Sequence, residues 1–160
     1  MKNWKESIRY GLVSGAAASV LSTVALAICG KSETGSAFAP TNAVSHWIWG
    51  DQAAQHTEPS SRYTLLGYGI HHASATFWAI LLEKCFGARL NRNTPMNTLK
   101  VAAITSAVAC FVDYKMTPHR LQPGYEMHLS KKSLFVVYAA FGLGLALGAH
   151  AIKRNETDAD

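Results

Sequence analysis

Three stretches of this 160-residue chain, residues 10–30, 63–82 and 133–152, contain no Asp, Glu, Lys or Arg. They are 21, 20 and 20 residues long. A helix needs ~20 apolar residues to cross the hydrocarbon core of a bilayer, so each run has the length of a membrane span. Only 16% of the residues are charged, against the usual ~25%, and the charges are confined between the runs. This pattern excludes a soluble domain, a disulfide scaffold and a disordered chain. It predicts an all-α, polytopic membrane protein. The net charge of +5 reads as membrane topology, because Lys and Arg flank the apolar runs. Nucleic-acid binding would need them clustered on one soluble face, so no nucleic-acid partner is expected.

The first run follows Lys2, Lys5 and Arg9. That arrangement also resembles a signal peptide, with Ala25-Leu-Ala27 as its cleavage site. A retained helix is the better reading, because the run exceeds the 7–15 residues typical of a signal core. It also carries Gly11, Gly15, Ser19 and Thr23 at four-residue spacing, a ridge of small residues that lets another helix approach closely in lipid. Ala140, Gly144 and Gly148 repeat that ridge in the last run. A weaker span lies between the second and last runs. Thr94-Pro95 makes a helix start, and Val101 to Val112 is uncharged. Lys100 snorkelling at one end and Tyr114-Lys115 at the other extend it to full length.

The chain is therefore read as one membrane domain over residues 1–160, a four-transmembrane-helix bundle. The spans run about 9–29, 63–83, 97–116 and 133–152, and the outer loops about 30–62 and 117–132. With the N-terminus inside, nine Lys and Arg fall on the inner side and six on the outer. The positive-inside rule then sets both termini on the cytoplasmic side of the membrane. Cys29, Cys85 and Cys110 show no metal-binding spacing and read as small apolar residues.

In the first outer loop, Pro40 to Gly50 reads as a short interfacial helix with Ala43, Val44, Trp47 and Ile48 on one face. The expectation is a helix lying on the outer membrane surface; the alternative is a lid over a pocket between the spans. Six of the seven histidines, His46, His56, His71, His72, His119 and His128, fall in outer loops or the outer half of the second span. His72 sits ~13 Å into that span at ~1.5 Å per residue. A polar residue at such depth faces the bundle interior.

Tyr68, His72, Thr76 and Glu83 form one polar stripe on the second span, and Ser106, Cys110 and Asp113 another on the third. The two stripes are expected to face each other, with Asp113 or a loop histidine as the partner of His72. The bland reading is interhelical hydrogen bonding. The sharper one is a metal site for Zn, Fe or Cu drawn from His71, His72, Asp113, His119, Glu126 and His128. A third is a proton or ion path through His72, Thr76 and Glu83. No HExxH, GxSxG, phosphate-binding loop or haem-attachment motif is present.

Asn42-Ala-Val-Ser-His-Trp-Ile-Trp-Gly50, Gly69-Ile-His-His-Ala-Ser74 and Asp113 with Thr117-Pro-His-Arg-Leu-Gln-Pro-Gly-Tyr-Glu126 resemble landmarks of four-helix inner-membrane proteins of Gram-negative bacteria. More distantly, the layout is similar to the YagU-like family. That resemblance implies an inner-membrane location and a loose link to acid tolerance, with no reaction. The leading functional expectation is a non-enzymatic accessory subunit or envelope and acid-stress factor without a cofactor. Its partners would be the bilayer and a membrane protein or further copies of itself. The alternatives are an enzyme built on the metal or redox site, and a small proton or ion conduit.

Overall fold

The computed structural model describes residues 3–90 and 94–157. Helix α1 (Trp4–Thr34) starts at Asn3, whose side chain accepts from the Glu6 N–H at 2.9 Å, and stops at Gly35, held left-handed at φ 78°. Two short helices follow, α2 (Ala39–Val44) and α3 (His46–Trp49). A π-helical turn over Ser61–Leu65 leads into α4 (Leu66–Leu90). Helix α5 (Pro95–Phe111) begins as expected, with Thr94 capping the Asn97 N–H and Pro95 in the first position, and runs on into a π-helical turn, Val112–Met116. After two 3₁₀ turns comes α6 (Lys131–Thr157), capped by Ser130. The described residues contain no strand. Three residues assigned to the ends of the chain or the inner loop by sequence, Lys2, Arg92 and Asp160, lie outside the described residues.

Helix α1 is the central element. Its glycine ridge packs on α4: a Cβ on Gly15 would fall 2.6 Å from the Thr76 Cα, and one on Gly11 would press on the Ile80 backbone. Its other face receives Gly144 and Gly148 of α6, against Ala18 and Ser14. Both pairings are antiparallel, since residue numbers rise on one helix as they fall on the other. Helix α5 packs mainly on α6, where Ser106 Oγ donates to the Tyr138 carbonyl at 2.6 Å. Small side chains at these crossings allow the close approach that dispersion forces need when solvent exclusion contributes nothing.

The distribution of side chains is inverted relative to a soluble helix. On α1, Ser7, Ser14, Ser19 and Ser22 are fully buried, while Leu12, Val13, Val20, Val24 and Ile28 are about half exposed or more. On α5 and α6, Ile104, Val108, Phe111, Phe135 and Leu147 also point outwards. Water would penalise that surface, and lipid solvates it. By length and composition α1, the segment Pro95–Met116 and the segment Lys131–Ile152 can each cross a membrane. Helix α4 is as long, but His71, His72, Glu83 and Lys84 make it too polar to join those three. The residue 63–83 segment, read from sequence as the stronger span, is thus weaker on composition than 97–116. Serines on α1 match the two histidines of this helix.

The first outer loop differs most from expectation. The helix read over residues 40–50 breaks at Ser45 into α2 and α3. Its first half is packed inside the fold rather than on the protein's surface. All six residues of α2 are buried, as is His46, while Ile48 points outwards. The segment is a plug, admitted by three glycines on three different elements. A Cβ on Gly30 would strike Pro40, one on Gly67 the Thr41 carbonyl, and one on Gly124 the Ala43 carbonyl. Gly124 also has φ 90°, so its lack of a side chain serves both backbone shape and clearance. Asn42, fully buried, ties the rest of the loop to the plug. Its Nδ2 donates to the carbonyls of His56 (2.8 Å) and Glu58 (2.9 Å), and its Oδ1 accepts from Thr64 Oγ1 at 2.6 Å. At the end of α1, Glu33 accepts from the Ser130 N–H (2.7 Å), the Ser130 hydroxyl (2.8 Å) and the Ser133 hydroxyl. A carboxylate there satisfies the Ser130 amide at the start of α6 and complements that helix's dipole.

Candidate functional site

Helices α4 and α5 touch only lightly, whereas each packs firmly on its other neighbour. The wedge between them is a cavity of about 410 Å³. Helix α4 contributes Ile70, His71, Ser74, Phe77 and Trp78, spaced so that one helical face lines the wall. Helix α5 contributes Ala109, Val112 and Asp113, and α6 contributes Val137, Tyr138 and Phe141. The plug and the second outer loop close the outer end with Val44, Trp47, Pro123 and Tyr125. The plug thus contributes Val44 and Trp47 to the cavity wall.

Hydrogen bonds lock the roof. His46 Nε2 and Trp47 Nε1 both donate to the Gln122 carbonyl at 2.8 Å, and Arg120 Nε donates to the Trp47 carbonyl at 3.1 Å. The other ring nitrogen of His46 faces Asp51 Oδ1 at 3.6 Å. Beneath the roof runs a chain of hydroxyls: Tyr125 OH donates to Tyr138 OH (3.2 Å), which donates to Asp113 Oδ2 (2.6 Å). Tyr114 OH donates to Glu126 Oε2 at 3.3 Å. Burial pushes the Tyr125 phenol far above its ordinary range, so it stays protonated and donating.

The two polar stripes do not face each other. On α4 the stripe faces α1: Ser19 Oγ and His72 Nδ1 are 2.7 Å apart, and Ser22 Oγ and His71 Nε2 2.8 Å. On α5 the stripe faces α6, through Ser106 and Asp113. The partner of His72 is therefore a serine of the first helix, not Asp113 or a loop histidine. The antiparallel crossing decides this, because the serines sit at the depth of the histidines. Loss of one such bond is expected to be mild. His72→Ala should cost ~0.6 kcal/mol, the mean for interhelical bonds in membranes, and Ser19→Ala on top of it nearly nothing. Unfolding in detergent measures both; a single-mutant cost of several kcal/mol would contradict a purely structural pair.

The six residues proposed from sequence as metal ligands lie in separate surroundings. His71 and His72 are engaged by serines, Asp113 by Tyr138, and Glu126 by Tyr114. His119 stands edge-on to the His46 ring at 6.1 Å, and His128 bonds the Ala54 backbone. Among the described residues no three His, Cys, Asp or Glu side chains form a group able to hold a metal ion. Cys29, Cys85 and Cys110 are free thiols. Sequence reading missed Tyr114, Tyr125 and Tyr138, which look like an interfacial aromatic belt. Their common depth, beside Asp113 and Glu126, was the available signal.

Burial holds the His128 imidazole below its ordinary value of 6.5, and the bond to Ala54 only partly offsets this. Its Nε2 is buried without a partner. The unfolded chain then takes up the proton first, so stability falls as pH drops from 6.5 towards the folded value and is fully present above it. The melting temperature of the wild type should fall more between pH 7.5 and 5 than that of His128→Gln; equal falls would remove His128 from the account.

Comparison of the chain with family models, with curated proteins and with solved structures finds no match.

Proposed function

We propose that this chain is a four-span bacterial inner-membrane protein of the YagU-like kind, with both termini cytoplasmic and the plug facing the periplasm. It acts without catalysis, as an accessory or envelope-stress factor that holds a small molecule from the bilayer in the cavity between α4, α5 and α6. The observation that carries this reading is the cavity itself. Its volume of about 410 Å³ lies within the ~300–1,000 Å³ of ligand pockets, and its walls are apolar with a few convergent polar groups. Crossing by α4 is supported by the Ser19–His72 and Ser22–His71 bonds, which satisfy its buried polar side chains inside the bundle. The nine-to-six distribution of Lys and Arg supports the orientation.

Two measurements test the proposal. Alkaline phosphatase fused at the C-terminus should be inactive and fused after Pro59 active; an active C-terminal fusion rejects the topology. Native mass spectrometry of protein released from membranes should show a bound small molecule. Ser74→Phe, which fills the cavity from a half-buried position, should remove it. An empty wild type, or an adduct retained by Ser74→Phe, rejects the binding role.

A further inference from the structure

If the cavity holds a small molecule, as proposed above, the chemistry of its walls narrows the class of ligand. Asp113 lines the cavity near the roof. Tyr138 satisfies one of its oxygens, and among the described residues no Lys, Arg or His lies within ion-pair distance of it. Five aromatic side chains, Trp47, Phe77, Trp78, Tyr125 and Phe141, line the same space among aliphatic and small residues. Trp47 is fixed by its bond to Gln122, Tyr125 by its bond to Tyr138, and Phe141 is buried. A carboxylate without a counter-cation, in an apolar cavity shared with aromatic side chains, is complementary to a cation. A cation gains from the carboxylate by charge and from the rings by their quadrupoles, and more so where water is excluded. A lipid tail would fill the volume and leave the carboxylate unpaired beside hydrocarbon, the arrangement a bilayer penalises most.

We infer that the cavity is a binding site for a lipophilic organic cation, with its charged centre at Asp113 and its apolar body against the α4 and α6 aromatics. Entry is lateral, through the α4–α5 seam, where Phe77 is 56% exposed. Tyr138 is a positioning residue: its hydroxyl holds one oxygen of the Asp113 carboxylate and leaves the other for the cation.

Tetraphenylphosphonium and tetraphenylborate, alike in size and opposite in charge, test this on the full chain in neutral detergent by equilibrium dialysis. The phosphonium should bind saturably at one per chain, and the borate at least about tenfold more weakly. Asp113→Asn should lose at least about tenfold in phosphonium affinity with an unchanged melting curve. Should Asp113→Asn not fold, the comparison of the two ions on the wild type decides by itself. Equal binding of both ions, abolished by Ser74→Phe, overturns the cation assignment and leaves the binding role standing. Binding of neither ion, with a native adduct still lost in Ser74→Phe, also overturns this assignment alone. Binding of neither, with no native adduct, overturns both.

Discussion

Gly148→Leu is expected to destabilise the folded protein by ~3 kcal/mol, the upper end of the range for volume forced into a packed interior. Gly148 and Gly144 are the points where α6 rests on α1. A single added carbon at Gly148 would overlap the Ser14 Cα, and at Gly144 it would crowd the Ala18 Cα. Backbone cannot rotate aside as a flexible side chain can, so relief requires the helices to part. Parting them also disturbs α4, because α1 carries both neighbours. The control is Leu147→Ala on the same helix, where the side chain is 51% exposed and faces away from the bundle. Thermal unfolding in detergent should separate the two variants clearly. If Gly148→Leu melts with wild type, that face does not pack on α1.

The second large effect is expected from Gly67→Ala, set against Gly69→Ala. Both glycines are in α4, two residues apart. At Gly67 a Cβ would run into the Thr41 carbonyl at the heart of the plug, whereas at Gly69 nothing lies within 4 Å. Gly67→Ala should cost ~2–3 kcal/mol and unseat the plug. Gly69→Ala should gain ~0.5–1 kcal/mol from the better helix former. Hydrogen exchange over residues 39–58 reads the plug directly, with rapid exchange in Gly67→Ala and none added in Gly69→Ala. Similar behaviour of the two would mean that α2 does not seat on α4. An unseated plug also removes Val44 and Trp47 from the cavity roof, so the same variant should lose any ligand held beneath it.

The amino-acid sequence alone determined the helical, membrane-type character of the chain, the positions of its long helices and several of their ends. Those properties are local. Charge-free runs have the length of a bilayer, Thr94-Pro95 starts a helix through a side-chain cap and a proline in the first position, and small residues at four-residue spacing mark a close crossing wherever the partner lies. The tertiary structure decided which helix each ridge and stripe meets. The α1 ridge could have met any neighbour; the antiparallel order brings it to α4, and so pairs Ser19 and Ser22 with His72 and His71. Likewise, no periodicity reveals that Gly30, Gly67 and Gly124, which are 37 and 57 residues apart, clear the space for one buried plug. Nor does it reveal that α4 and α5 splay to leave a cavity with Asp113 in its wall. Contacts between distant segments depend on the register of whole helices against one another, and a single chain read in order carries no local mark of that register.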